Sequence, residues 1–157
     1  MTATAGDTHA VGEALAPLLR PGDAVALTGE LGAGKTTLVH GVAEALGYEG
    51  AVASPTFTLV REYPTPLLRI LHADVYRLDR VQDVIDLGLE ERLDEGAALL
   101  IEWGDAVEAL LPDDHLVIEL TVPEADDRRA ISIRPVGDRW AARWERLEQA
   151  VEPWRAP

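Results

Sequence analysis

The sequence predicts an α/β fold with helices layered on a mixed β-sheet. Three observations lead there. Short apolar runs alternate with stretches of helical spacing through the first half of the chain. A glycine-rich segment joins the first apolar run to the helical stretch after it. Two pairs of strand-like runs are separated by turn-forming residues, PTP at 64–66 and PEADDR at 123–128, which makes part of the sheet antiparallel.

The elements follow in chain order. THAVGEALAPLL (8–19) has helical spacing, with Asp7 or Thr8 as its N-cap and PGD (21–23) as the turn after it. AVALT (24–28) suits a short buried strand. TTLVHGVAEAL (36–46) is a helix that Gly47 closes at the C′ position. FTLVREY (57–63) and LLRILHAD (67–74) are strands joined across PTP. Residues 80–95 form one or two acidic helical segments, broken near Gly88, and ALLIEW (98–103) is a further strand. HLVIELTV (115–122) and RAISIRPV (129–136) form an antiparallel hairpin, and DRWAARWERLEQAV (138–151) is an amphipathic helix. Trp140, Trp144, Leu147 and Val151 share one face of it, the pattern of core packing. No repeat or linker interrupts the 157 residues, so residues 1–157 are expected to form one domain, with the hairpin and helix of 115–151 packed on it.

Composition narrows the function. Hydrophobic residues make up 47% and charged residues 27%, which excludes a disordered or fibrous chain. Fourteen basic residues against 28 acidic ones leave a net charge of −14. Such a surface opposes a primary nucleic-acid binder and docking on anionic lipid, while it suits a partner with a basic patch. Segment 79–96 alone carries seven acids and two arginines, the pattern of a solvated helix face. Cysteine is absent, which removes disulfides, thiolate metal sites and a cysteine nucleophile. No basic, apolar leader opens the sequence and no run is long enough to span a bilayer, so the expected place is the cytosol. His9, His72 and His115 stand apart in the sequence and are assigned no metal.

The chemistry lies in GELGAGKTT (29–37), which fits G-x-x-x-x-G-K-[ST] through Gly29, Gly34, Lys35 and Thr36. A loop passing from a strand into a helix turns its backbone N–H groups inward and makes a nest for phosphate oxygens. The candidate nest is Glu30, Leu31, Gly32, Ala33, Gly34, Lys35, Thr36 and Thr37. The Lys35 ammonium is placed for the β- and γ-phosphates and the Thr36 hydroxyl for Mg²⁺. Lys35 is also the sole lysine of the chain, at the position where a compact ammonium suits the chemistry better than a guanidinium. The same fact removes the N-K-x-D element of guanine-specific relatives, so ATP is the expected nucleotide. Asp74 and Glu102 end strand-like runs, where the ligands of an α/β sheet gather. Either could organise the metal or the attacking water.

Taken together, GELGAGKTT, SPTFTLV (54–60), HADVYRL (72–78) and IEW (101–103), in that order and spacing, resemble the TsaE (YjeE) family. The similarity runs from about Thr8 to about Leu116. It implies a P-loop NTPase fold, a three-layer sandwich with a mixed central β-sheet. It also implies slow, Mg²⁺-dependent ATP hydrolysis in support of the TsaB–TsaD pair, which makes threonylcarbamoyladenosine on tRNA. By the resemblance, tRNA is met only indirectly, through that complex. Thr56 would lie in a segment that senses the γ-phosphate, Trp103 would flank the site, and Lys35, Asp74 and Glu102 would carry catalysis. Thr36, Asp74 and Glu102 would surround the metal.

Two other functions compete. A small-molecule kinase of the same fold needs an arginine-bearing lid. Arg61, Arg69, Arg77 and Arg80 are the nearest arginines, but they straddle expected strands. A non-catalytic module would hold ATP only as a structural ligand.

Overall fold

The apolar run Ala24–Gly29 (β1) is buried on both faces and sits inside a six-stranded sheet. The computed structural model describes residues 1–55, 59–76, 78, 80–103, 108–124 and 128–157. The other elements are α1 (Ala5–Leu15), α2 (Lys35–Ala45), β2 (Val60–Tyr63), β3 (Ile70–Asp74), α3 (Val81–Ile85), α4 (Leu89–Asp94), β4 (Ala98–Glu102), β5 (His115–Thr121), β6 (Ala130–Val136) and α5 (Trp144–Val151). Strand order is β2-β3-β4-β1-β5-β6. The four inner strands are parallel, and the β2–β3 and β5–β6 pairs add an antiparallel strand at each edge. The β5–β6 hairpin is continuous with the sheet, because β5 pairs directly with β1.

Each sheet face carries its own core. Val25 and Leu27 of β1, Leu100 of β4 and Ile118 of β5 pack under α1, α2 and α5. Ala24, Ala26, Leu99 and Ile101 point the other way, toward Val84, Leu89 and Leu93 of α3 and α4. The period-2 alternation of strand side chains makes the three layers.

Helices α1 and α2 touch backbone to backbone. A Cβ on Gly12 would lie 2.2 Å from the Leu38 carbonyl oxygen, and one on Gly41 would lie 1.9 Å from that of His9. Helix α2 ends as expected at Gly47 (φ 96°). There the Tyr48 N–H donates to Ala43 O (3.0 Å) and the Gly47 N–H to Glu44 O (3.0 Å), a Schellman closure.

Strand β2 is described from Val60, since residues 57–58 of FTLVREY lie outside the described residues, and the starts of three other elements move by three residues or more. Helix α1 begins at Ala5 rather than residue 8, because Thr4 is the cap. Thr4 Oγ1 accepts the Asp7 N–H (3.1 Å), and the Asp7 carboxylate accepts the Thr4 N–H (3.0 Å) and the Ala3 N–H (2.9 Å). This capping box carries Asp where Glu or Gln is usual. Strand β3 starts at Ile70 rather than residue 67, because the Thr65 hydroxyl takes the Leu68 N–H (2.9 Å) and closes a turn first. The C-terminal helix starts at Trp144 rather than 138. Ahead of it, Arg139 and Arg143 turn inward onto the buried Asp23 carboxylate (2.7 and 2.6 Å). The expected packing is present although Trp140 precedes the helix: Trp140 and Leu147 are buried, and Trp144 and Val151 pack beside them.

Candidate active site

Strand alternation builds the site. Ile70, Ala98 and Leu100 lie on the α2 face of the sheet, so His72 and Asp74 on β3 and Glu102 on β4 share that face. Strands β3 and β4 are parallel, with Asp74 directly opposite Glu102. Glu102 is also in register with Leu27 of β1, two residues before the glycine-rich loop begins. Parallel pairing thus brings three carboxyl ends together at one edge, beside the start of α2.

The loop then sets the cation. Gly34 precedes α2 with φ 109°, a left-handed turn that directs the chain into the helix. Lys35 is the first helical residue and is almost fully buried. Its ammonium donates to Gly29 O (2.6 Å) and Glu30 O (2.8 Å) and lies 3.9 Å from the centre of the Trp103 ring. Trp103 reaches that position through a positive φ of 66°, held by its N–H on Leu27 O (2.8 Å). Thr36 Oγ1 is 3.0 Å from both carboxylate oxygens of Glu102. Asp74 accepts the Ser54 hydroxyl (2.6 Å) and the Tyr76 N–H (3.0 Å). Lys35, Thr36, Asp74, Glu102 and Trp103 therefore converge, with Thr37 in the same first turn of α2. In the loop itself, Ala33 is buried and Leu31 projects outward. Thr56 falls outside the described residues. A cleft of about 520 Å³ adjoins the loop, with Gly29, Glu30, Trp103, Glu119 and Arg134 among its walls.

Comparison with known proteins places this arrangement. Residues 2–131 match the family model described as "Threonylcarbamoyl adenosine biosynthesis protein TsaE". The chain belongs to the TsaE family. Among similar proteins, the "tRNA threonylcarbamoyladenosine biosynthesis protein TsaE" of Bacillus subtilis is 39% identical over 91% of this chain and 89% of its own length. The protein of the same name from Streptomyces coelicolor is 41% identical over 83% of this chain and 92% of its own length. The crystal structure of Bacillus subtilis YdiB superposes with a TM-score of 0.81 at 36% identity, covering 94% of this chain and 91% of that one.

In this TsaE-family chain, the described residues include two site groups that sequence reasoning did not assign. His72 Nε2 bonds Glu102 Oε2 (2.5 Å), and His72 Nδ1 lies 2.9 Å from the Tyr63 hydroxyl. All three side chains are buried. Burial pushes the Tyr63 phenol above its ordinary range, which keeps it a hydrogen-bond donor. Both ring nitrogens of His72 are engaged, Nε2 by the carboxylate and Nδ1 by the phenol, whose oxygen also lies 3.3 Å from Ala53 O. The line Tyr63–His72–Glu102–Thr36 thus runs through the sheet to the phosphate loop. The alternation of ILHAD was the available signal, since it sets His72 on the same face as Asp74.

The donor set fits a hard divalent cation beside phosphate. A hydroxyl and two nearly buried carboxylates supply oxygen ligands, and a buried ammonium stands next to them. Thr36, Asp74 and Glu102 could hold Mg²⁺, with Lys35 placed for the phosphates.

Proposed function

We propose that this chain is a Mg²⁺-dependent ATPase serving threonylcarbamoyladenosine formation on tRNA, acting with TsaB and TsaD. The observation that carries the reading is the Thr36 hydroxyl set against Glu102, with Asp74 level with it on the next strand. The names borne by its relatives supply the pathway.

Mg²⁺, when bound, would supply neutralisation of the charge that develops on the departing phosphoryl group. The residues divide the remaining work. Lys35 exchanges its contacts with Gly29 O and Glu30 O for phosphate oxygens. The backbone of residues 30–37 cradles the anionic tail, and Trp103 shields the ammonium. Thr36, Asp74 and Glu102 would hold the metal. One of the two carboxylates, Asp74 or Glu102, would also orient the attacking water. His72 and Tyr63 keep the Glu102 carboxylate turned toward Thr36. Residues 1–157 act as one ATPase domain, a reading supported by the continuity of the β5–β6 hairpin with the sheet. The net charge of −14 agrees with tRNA being met through the partner proteins. The kinase alternative is not favoured, since Arg69 is tied to Glu62 within the β2–β3 hairpin (2.7 Å).

The test has two stages. Mg-ATP at a hundredfold excess over Kd should stabilise the chain by roughly 2.7 kcal/mol. That corresponds to a melting shift of roughly 5–10 °C at this size, and Lys35→Ala should abolish it. Reconstituted tRNA modification with TsaB and TsaD should then stop when this chain is omitted. An unchanged melting temperature with Mg-ATP refutes nucleotide binding. Undiminished modification without the chain refutes the role in the pathway.

A further inference from the structure

His9 and Glu44 stand 35 positions apart in the sequence, yet their side chains meet, with His9 Nε2 3.1 Å from Glu44 Oε2. His40, one turn before Glu44 on α2, sets its own Nε2 3.4 Å from the same oxygen. The two imidazole rings meet edge to face, with centroids 5.0 Å apart. One ligand atom from each of the three side chains lies within 4.8 Å of the other two. This cluster is on the outer side of the α1–α2 pair and plays no part in the arrangement around Lys35.

We propose that His9, His40 and Glu44 form a binding site for a divalent transition ion of the zinc class, which clamps α1 to α2. Two imidazole nitrogens and one carboxylate oxygen are a recurrent zinc ligand set that leaves a fourth position for water. Atoms about 2.0–2.1 Å from a tetrahedral zinc stand roughly 3.3 Å apart. Two of the three separations, 3.1 and 3.4 Å, match that spacing, and the third is within 4.8 Å, a gap that side-chain rotation can close. The scaffold is stiff at this point, because Gly41 brings α2 against the His9 carbonyl, where a Cβ would lie 1.9 Å from the oxygen. The Glu13 carboxylate is 3.8 Å from His9 Nδ1, on the side where an outer carboxylate steadies a ligating ring. The side chains of His9, Glu44 and His40 are 22%, 55% and 46% exposed, which leaves an entry path. Imidazole ligands select against Mg²⁺, so this site and the phosphate loop take different ions.

The experiment uses the 157-residue chain without an affinity tag, stripped with chelator and kept in excess Mg²⁺. ZnCl₂ is titrated calorimetrically, and CoCl₂ is followed by its visible absorption. One equivalent of each ion is expected to bind, with a rise in melting temperature on adding zinc. His40→Asn and Glu44→Gln, both at partly exposed positions, should weaken binding by on the order of 10–100-fold or more and remove the cobalt band. Glu102→Gln should bind zinc as the parent does, separating this site from the carboxylates of the phosphate loop. The proposal is overturned if the parent binds no zinc. It is equally overturned if His40→Asn and Glu44→Gln titrate like the parent, or if Glu102→Gln abolishes binding.

Discussion

Glu102 gathers more contacts around the phosphate loop than any sequence motif announces. It meets Thr36 on one side and His72 on the other. Replacing it with alanine should slow ATP hydrolysis by a factor on the order of a hundred or more, while ATP still raises the melting temperature. His72 bonds Glu102 and would act through it, so it is a positioning residue. His72→Ala should raise the Mg²⁺ concentration for half-maximal hydrolysis by on the order of 10–100-fold and leave the KM for ATP nearly unchanged. A purely structural role would lower the melting temperature without moving the Mg²⁺ dependence. The placement of Lys35 and Thr36 at the start of α2 was legible because the phosphate-loop spacing is a local backbone property. That of His72 was not, since its meaning depends on which strand lies beside β3.

Among the elements, the α1–α2 contact admits a test in which two effects oppose each other. Alanine is favoured over glycine inside a helix by about 1 kcal/mol. At Gly41 the added Cβ would meet the His9 carbonyl oxygen at 1.9 Å, and a backbone atom has no rotamer by which to move aside. Overlap outweighs propensity, so Gly41→Ala should destabilise the fold by about 1–3 kcal/mol in urea titrations. A glycine in mid-helix was visible in the sequence; the partner that requires it was not. The start of α1 was misplaced for a related reason. Thr4 and Asp7 satisfy each other's backbone donors, and Asp at the third helical position is a weaker signal than Glu.

Across the whole molecule, the buried Asp23 joins the start of the sheet to the C-terminal segment through Arg143 and Arg139. Burial pushes its carboxyl up, but hydrogen bonds from Arg143, Arg139 and the Arg20 N–H outweigh that and hold it below the usual carboxylate range. A folded pKa below the unfolded value gives stability that is fully present above about pH 4. That stability is lost as the pH falls through the folded value. Asp23→Ala leaves Arg143 buried without its counter-charge and should cost about 3–5 kcal/mol at pH 7. The gap to the parent should narrow at pH 3, measured by urea midpoints at both values. Among the described residues, no helix is long and apolar enough to cross a membrane.

Strand and helix periodicity, the phosphate-loop spacing and the two strand-end acids were all present in the order of residues. Each depends on neighbours a few positions away, so the layered fold and the catalytic candidates could be read without coordinates. Pairing across the sheet and between helices was a different matter. Register put Asp74 opposite Glu102, packing set His9 beside His40, and an inward turn spent Arg139 and Arg143 on Asp23 rather than on a longer helix. These are contacts between residues distant in the chain, and their partners are chosen by burial and shape once the core has closed.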